Sequence, residues 1–264
     1  MTEPVGRTIL LMDVEGSGGR DDVEQAVIRR MLYSVLADTL EAAGVEPTER
    51  RVEDRGDGVM VLISPTVPKP HLIRALLTET PARLHAGNRV AGPGTQVRLR
   101  IVLATGEVAL DEHGAVGADL VAAFRLLDSD ALRAALRRSA EPSALCVSDA
   151  VHHGVVRHGH LGIRPEHFHR FRTPTKEGAA DAWLYDPTRT AAGPTRPADG
   201  APAGAEPTPG RPDQPAAPAT SATPATPSGW QVGSGNFFFG TASIAGDAVA
   251  GDKYMGGGQG GESR

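Results

Sequence analysis

The chain has 264 residues with a formal net charge of −5, and 40% of them are hydrophobic, which is enough to bury one sizeable core with residues left over. The acidic balance, without any basic block, argues against nucleic acid as a partner. Cys146 is the single cysteine, so no disulfide can form within the chain and a reducing, cytoplasmic setting is expected. The sequence contains no leader-like segment and no apolar run of ~20 residues, so neither secretion nor a membrane partner is predicted.

Composition divides the chain into three regions. Residues 1–187 have the mixed composition of a globular domain. Residues 188–229 consist mainly of Pro, Ala, Thr and Gly, and with so little apolar surface to bury they predict a disordered, semi-extended linker. Residues 230–264 are rich in Gly but contain three consecutive Phe at 237–239. We therefore predict one folded domain, a linker and a separate C-terminal motif.

Hydrophobic periodicity and turn residues predict the elements of the first region in chain order. The first two are a buried strand at 7–14 and an amphipathic helix at 21–43, which begins with a capping box at Asp21 and Glu24. The predicted apolar face of that helix consists of Val27, Met31, Val35 and Leu36. The later elements are strands on either side of Gly56-Asp57-Gly58, a helix at 71–86, a strand at 96–103, a helix at 118–138, and strands at 145–148 and 180–185.

The order of these elements is β-α-β-β-α-β with extensions, which is typical of a ferredoxin-like α+β fold. We expect helices packed on one face of an antiparallel or mixed sheet. The Gly-Asp-Gly segment is a strong hairpin pattern, because glycine permits the positive φ angles of a tight turn.

Two aspartates lie where this fold can bring them together. Asp13 ends the first apolar strand and opens a Gly-rich stretch, and Asp57 lies at the tip of the predicted hairpin. Two such carboxylates can share a divalent cation, and Mg²⁺ or Mn²⁺ bound by oxygen ligands holds nucleotide phosphates. The alternative is that Asp13 caps a strand and that the Gly-Asp-Gly segment is an ordinary tight turn.

Four segments, in order, resemble the catalytic domain of class III nucleotidyl cyclases. Residues 11–16 (LMDVEG) and 52–57 (VEDRGD) resemble the two metal-binding segments of that family. Residues 102–108 (VLATGEV) resemble its later strand-and-glycine element, and residues 117–126 (GADLVAAFRL) resemble the helix that carries the family's Asn and Arg. The resemblance covers about 180 residues. It implies a metal-dependent site for a purine nucleotide and, because the family forms its active sites between two subunits, a homodimer.

Further binding residues surround the predicted metal pair. The backbone of the Gly-rich stretch, with Gly16, Ser17 and Gly18, leads into a helix N-terminus and can cradle phosphate oxygens. Asp21 at that N-terminus is anionic and opposes a phosphate. Glu53 resembles the family residue that reads the purine, and a glutamate there implies guanine. The alternative is that Glu53 is a solvated charge on a strand.

The catalytic residues implied by the resemblance are matched in part. Arg125 matches the family's catalytic arginine, which stabilises charge developing on the phosphates; an exposed helix arginine is the alternative. Lys176 matches a triphosphate-binding lysine, with the spacing off by one residue. Val121 stands where the family has its asparagine, and a valine can neither hydrogen-bond nor orient the ribose.

Six histidines between residues 152 and 169 invite a zinc interpretation, but no cysteine joins them. A solvated or partly packed cluster is the preferred interpretation, because short motifs often match by chance.

The C-terminal region contains a near-repeat, IAGD at 244–247 and VAGDKY at 249–254, after NFFFG at 236–240. Short apolar β-formers with low charge and no proline are typical of segments that stack as cross-β. Placed after a linker, this tail resembles bacterial amyloid signalling motifs, which implies partner proteins that carry a similar motif. The alternative is a Gly-rich disordered end without function.

Together these features predict a cyclase-like signalling or effector protein. It is expected to bind a purine nucleoside triphosphate with a divalent metal, to form a 3′,5′-cyclic nucleotide from GTP rather than ATP, and to be recruited through a self-assembling C-terminal motif. Val121 favours the alternative, a catalytically inactive pseudo-cyclase that acts as a nucleotide sensor or dimerising adaptor.

Overall fold

One mixed sheet organises the part of the chain that this computed structural model describes, residues 2–175 and 178–189. The predicted tail at 230–264, residues 190–229 of the predicted linker, and Lys176 lie outside the described residues. The strands are β1 (Val5–Val14), β2 (Arg50–Asp54), β3 (Gly58–Ile63), β4 (Leu99–Asp111), β5 (Gly114–Val116), β6 (Ser143–Ser148), β7 (Phe168–Thr175) and β8 (Gly178–Tyr185). The helices are α1 (Asp22–Ala42), α2 (Lys69–Val90), α3 (Ala118–Leu127), α4 (Asp130–Arg138) and α5 (Asp149–Gly154).

The first six major elements follow the predicted β-α-β-β-α-β order, and the predicted α+β fold is confirmed. The sheet order is β2-β3-β1-β4-β6-β8-β7, with β5 paired to β4. β1 lies between β3 and β4 and is antiparallel to both, whereas β4 and β6 are parallel. The sheet is therefore mixed, and its central strand is the one that ends at Asp13.

Alternating side chains of β1 form two hydrophobic cores, one on each face of the sheet. Leu10 and Met12 pack with α1 and α2 on one face, and Ile9 and Leu11 pack with α3 and α4 on the other. The expectation of helices on a single face therefore holds only for the β-α-β-β-α-β unit. Every β1 residue from 8 to 12 is buried, so both faces of this strand are covered. The later helices α3 and α4 cover the face opposite α1 and α2.

The first helix begins as predicted, with a different buried stripe. The Asp21 side chain accepts a hydrogen bond from the Glu24 N–H at 2.8 Å, and the Glu24 side chain completes the capping box. The buried apolar stripe consists of Ile28, Leu32, Val35, Leu36 and Leu40. Val27 and Met31, which were assigned to this face, are only half-buried at its margin.

The helix predicted at 118–138 is two helices. α3 ends at Leu127, and Ser129 caps the start of α4 by accepting from the Leu132 N–H at 3.3 Å. The Ser129 hydroxyl also donates to the Leu126 carbonyl at 2.7 Å. A serine that satisfies backbone groups on both sides of a break favours a cap over a continuous helix.

Other parts of the chain behave as ordinary core and surface. Cys146 is fully buried on β6, and burial raises the pKa of its thiol, as expected of a small buried hydrophobe rather than a nucleophile.

Within the described residues, no helix combines the length and the apolar composition needed to cross a bilayer.

Both outer strands of the sheet carry charge. β2, at one end, has five residues, and four of them are charged: Arg50, Arg51, Glu53 and Asp54. β7, at the other end, contains Arg170 and Arg172, which both pair with Asp181 of β8. Short or charged edge strands resist pairing with strands of other chains.

Thr8 of the central strand β1 has a buried hydroxyl that makes no hydrogen bond among the described residues. The residue as a whole is fully buried. Thr8→Val keeps the shape and removes the unpaired hydroxyl, so we expect it to raise the free energy of unfolding by about 1 kcal/mol in urea denaturation. Thr39→Val is the control. Its buried hydroxyl bonds the Val35 carbonyl at 2.7 Å and the Thr80 hydroxyl at 2.8 Å, so its removal should destabilise. Equal effects of the two substitutions would contradict the prediction.

Candidate functional site

The pairing of β1 with β3 brings Asp13 and Asp57 to the same edge of the sheet. Asp13 lies opposite Gly58, and the Val14 N–H donates to the Asp57 carbonyl at 3.1 Å. Glycine is required at position 58, where β3 pairs with the end of β1, because a Cβ there would lie 2.8 Å from the Met12 carbonyl oxygen. The two strands can therefore approach closely enough for the two aspartates to be neighbours.

The hairpin tip that carries Asp57 is braced by α1. Gly56 has a φ of +80°, which favours glycine, and its N–H donates to the Asp54 carboxylate at 2.7 Å. Arg29 of α1 donates to the Gly56 carbonyl at 2.9 Å and forms an ion pair with Asp54. The turn is thus fixed at three points, and the position of Asp57 is fixed with it.

The Gly-rich loop after β1 closes over Asp57. The Ser17 hydroxyl donates to Asp57 Oδ2 at 2.5 Å, so of the three predicted loop residues it is Ser17 that contacts the aspartate pair. Gly16 permits this turn with a φ of +70°. A Cβ on Gly18 would meet no atom within 4 Å, so the loop is open on that side. The loop leads to Asp21 and the acidic first turn of α1, which does not favour an anion.

Arg100 is a site residue that the sequence analysis missed. It lies directly opposite Asp13 on β4, and its guanidinium forms an ion pair with the Asp13 carboxylate. Each of the two side chains is only 15% exposed. The signal in the sequence was an arginine between the buried strand residues Leu99 and Ile101, but its partner becomes evident only from the β1–β4 register.

The surroundings of Asp13 raise the pKa of its carboxyl to about 6. Burial is the largest cause, Arg100 opposes it, and the negative charges of Asp57 and Asp128 add to it. Asp128 follows the last residue of α3. Asp57 and Asp128 therefore place negative charge near Asp13, and a cation bound beside Asp13 would offset it.

The residues present suit a magnesium-type cation. Among the described residues, no three His, Cys, Asp or Glu side chains are placed to hold a metal together. Mg²⁺, however, is commonly bound through one or two carboxylates, with the remaining positions filled by water and substrate phosphates. Asp13 and Asp57 supply two carboxylates at one edge of the sheet, and the charge of Asp57 is near enough to raise the pKa of Asp13.

Glu53 lies on the same face of the sheet as Asp13. It is paired with Met60 across β2 and β3, and Met60 packs in the core beneath α3. Its carboxylate accepts from Arg51 Nε at 2.8 Å and from Arg55 Nη2 at 3.1 Å. The side chain is 12% exposed, so it is not the solvated charge of the alternative interpretation.

Comparisons with solved structures agree on the fold. The guanylyl cyclase Cya2 matches with a TM-score of 0.50 and 18% identity, over 72% of this chain and 98% of that chain. An adenylate/guanylate cyclase/hydrolase from Silicibacter pomeroyi matches with a TM-score of 0.47 and 17% identity, over 71% of this chain and all of that chain. No protein-family profile matches the sequence, and no curated protein sequence does either. The fold is that of a class III nucleotidyl cyclase catalytic domain.

In this cyclase fold α3 carries the predicted catalytic residue. Val121, Arg125 and Asp128 are spaced at i, i+4 and i+7, so they follow one stripe of the helix. Asp128 follows the C-terminal end of α3 and is close enough to Asp13 to raise its pKa, so that end of the helix lies near Asp13. Val121 is 38% exposed and Arg125 is half-buried.

Close packing against β4 sets the position of α3. The Asp119 carboxylate accepts from the Glu107 N–H at 2.8 Å. A Cβ on Gly106 would lie 2.1 Å from the Asp119 Cβ, and one on Gly117 would lie 2.5 Å from the Glu107 carbonyl oxygen. Glycine at positions 106 and 117 therefore allows α3 and the residue before it to lie close against β4.

The histidine-rich segment lies at the far end of the sheet, around α5 and β7. The His152 ring stacks on Trp183 at 3.4 Å, and burial lowers the pKa of its imidazole. Trp183 Nε1 donates to Asp149 at 3.0 Å. These contacts are packing and hydrogen bonding between α5 and the neighbouring strand β8.

Proposed function

We propose that this domain binds a purine nucleoside triphosphate with Mg²⁺ or Mn²⁺ and converts it to a 3′,5′-cyclic nucleotide, with GTP preferred over ATP. The observation that carries the proposal is the meeting of Asp13 and Asp57 at one edge of a cyclase-type sheet. Neither aspartate alone would distinguish a metal site from a strand end or a turn.

Each chain residue has a defined task in this proposal. Asp13 and Asp57 hold the cation, and the Ser17 hydroxyl keeps the Asp57 carboxylate oriented. The cation neutralises triphosphate charge and lowers the pKa of the ribose 3′-hydroxyl when it is bound. Arg100, which pairs with Asp13, would offer its guanidinium to phosphate oxygens of a bound nucleotide. Arg125 and Lys176 stabilise the charge that develops on the phosphates during transfer.

Turnover is the test of this proposal. Purified full-length protein with Mn²⁺ and GTP, or ATP, should form cyclic nucleotide above the level of an Asp57→Ala variant. Loss of one metal-holding carboxylate should reduce the rate at least about 100-fold, which corresponds to about 2.7 kcal/mol of transition-state stabilisation. Equal rates of cyclic-nucleotide formation by the two proteins would contradict the catalytic proposal.

A second candidate function rests on Val121. This valine is 38% exposed on α3 and has no polar group to offer a ribose. A pseudo-cyclase that senses a nucleotide, or serves as a dimerising adaptor, would tolerate valine in place of the family's asparagine. Calorimetric binding of GTP with Mg²⁺, without any cyclic product, would select this candidate.

We further propose that the tail at 230–264 assembles with like tails, in copies of this chain or in partner proteins, and so recruits the domain. Its apolar β-forming segments support this proposal. A synthetic peptide of these residues should form thioflavin-binding fibrils, whereas a version with Phe237, Phe238 and Phe239 replaced by serine should not. A wild-type peptide that stays monomeric at high concentration would contradict the assembly role.

A further inference from the structure

The Gly-rich loop that carries Ser17 has little in its own composition to keep it ordered. Residues 16–19 are Gly-Ser-Gly-Gly, and glycine loses more conformational freedom on ordering than any other residue. A Cβ at Gly18 or Gly19 would meet no atom within 4 Å, so that part of the loop borders open space. Side-chain packing therefore contributes little to holding the Ser17 hydroxyl on Asp57.

Arg20 supplies the contacts that close this loop. Its backbone N–H donates to the Ser17 carbonyl at 3.2 Å, and its carbonyl accepts from Gln25 Nε2 at 2.9 Å. Its guanidinium Nη2 donates to the Gln96 carbonyl at 3.0 Å and lies 3.5 Å from the Glu15 carbonyl oxygen, a long hydrogen bond. The side chain at the end of the loop thus reaches back to the residue before the loop, and it connects both to the segment that leads into β4.

The rest of the Arg20 guanidinium gains nothing from its position. Nη1 is buried without a hydrogen-bond partner among the described residues. An unpaired buried donor destabilises a fold, more so when it belongs to a charged group. In the described part of the chain no acidic side chain pairs with Arg20 either. Its bonds to backbone carbonyls are therefore the contribution that offsets this cost.

Order in the loop matters because Ser17 bonds the more exposed of the two aspartates. Asp57 is exposed, whereas Asp13 is half-buried. The Ser17 hydroxyl donates to Asp57 Oδ2 at 2.5 Å. A carboxylate that binds a metal needs such a hydrogen bond to fix its orientation. The contacts run from Arg20 through the loop backbone to Ser17, and from Ser17 to the carboxylate.

We propose that Arg20 is a positioning residue, which holds the Gly-rich loop in the conformation that keeps Ser17 on Asp57. The inference rests on the proposed metal and nucleotide site, although Arg20 touches neither the cation nor the nucleotide in this role. A loop that is already ordered loses less conformational entropy when a cation and a triphosphate bind. Arg20 therefore raises the affinity of the site without contributing a ligand to it.

The first test needs no nucleotide. Amide hydrogen exchange of the full-length protein, measured by mass spectrometry on peptides that span residues 14–21, reports opening of the loop. Arg20→Met keeps an apolar side chain and removes the donors, so it should speed exchange there by about tenfold while peptides of α2 exchange as in the wild type. Arg30→Met is the matched control, because it removes the same charge from α1, where Arg30 Nε donates to the Ala26 carbonyl of its own helix at 3.3 Å. Loop exchange that is unchanged in Arg20→Met, or equally fast in Arg30→Met, would overturn the inference.

The second test asks whether Arg20 acts through Ser17. In calorimetric titrations with GTP and Mn²⁺, Arg20→Met should weaken binding by about tenfold, Arg20→Lys should recover part of that loss, and Arg30→Met should stay within about twofold of the wild type. Arg20→Met combined with Ser17→Ala should bind no more weakly than the weaker single variant, since both changes remove the same constraint. Losses that multiply in the double variant would mean that Arg20 acts independently of Ser17, which overturns the positioning role.

The two tests separate this inference from the function on which it rests. If the wild-type protein binds no nucleotide, the proposed function fails, and the exchange rates still decide whether Arg20 holds the loop. If Arg20→Met exchanges faster but binds GTP as the wild type does, the positioning role is overturned and the proposed function stands. Should Arg20→Met not fold, Arg20→Gln has a side chain too short to reach Gln96 and should exchange faster as well; a wild-type rate in that variant would overturn the role.

Discussion

Replacing Asp13 with asparagine is expected to stabilise the nucleotide-free domain at pH 7.5 and to abolish the metal-dependent nucleotide binding proposed for it. The two effects have one cause, the buried charge. Burial and the neighbouring Asp57 and Asp128 disfavour the ionised carboxylate more than Arg100 favours it. Asparagine removes that charge, and with it the ligand that a divalent cation requires.

The pH dependence of this effect follows from the folded-state pKa of about 6, against an ordinary value of 3.8. A raised carboxyl pKa means that the folded protein binds the proton more tightly than the unfolded chain does. The wild type should therefore lose stability as the pH rises from about 4 to about 6, by at most about 3 kcal/mol. The advantage of Asp13→Asn should be fully present above that window and nearly absent at pH 4.

Thermal unfolding at pH 4, 5 and 7.5, together with calorimetric titration of GTP and Mn²⁺, would measure both effects. Asp57→Asn is the matched control, because Asp57 is exposed and its carboxylate bonds Ser17. It should lose binding without gaining stability. A lower melting temperature for Asp13→Asn at pH 7.5 would show that the ion pair with Arg100 outweighs the cost of burial.

Gly106→Ala is expected to destabilise the domain by about 2 kcal/mol or more and to reduce nucleotide binding as well. The added methyl group would collide with Asp119, whose carboxylate is anchored on the Glu107 N–H. Because Asp119 cannot simply rotate away, α3 must shift from β4, and overpacking of this kind typically costs 1–3 kcal/mol. The shift would carry Phe124 and Arg125 with it and displace Asp128 relative to Asp13, the carboxylate of the proposed site.

Urea denaturation and GTP titration of the Gly106→Ala variant would check this coupling. Gly154→Ala provides the comparison, because a Cβ at Gly154 in α5 would meet no atom within 4 Å. That variant should retain wild-type binding and equal or slightly greater stability. A Gly106→Ala protein with unchanged stability would show that α3 is not held by this close contact.

Local patterns in the sequence were sufficient to predict the frame of the site. The apolar run before Asp13 and the glycines around Asp57 predict a strand end and a hairpin tip, and the β-α-β-β-α-β order places them side by side. Arg100 could not be assigned in this way, because its role depends on strand pairing with a residue 87 positions away. The break at Ser129 was missed because the helical periodicity continues across it. The second core went unnoticed since a fully buried strand has no polar face to indicate which side is covered.

The two charged outer strands of the sheet have a consequence for a chain proposed to carry a cross-β tail. β2 is short and bears four charged residues, and β7 has two arginines paired with Asp181. Edges of this kind make poor templates for further strands. A self-templating segment can therefore share a polypeptide with this domain without seeding the conversion of its sheet. Under the proposed assembly, the folded domain would keep its native pairing and growth would be confined to the tail.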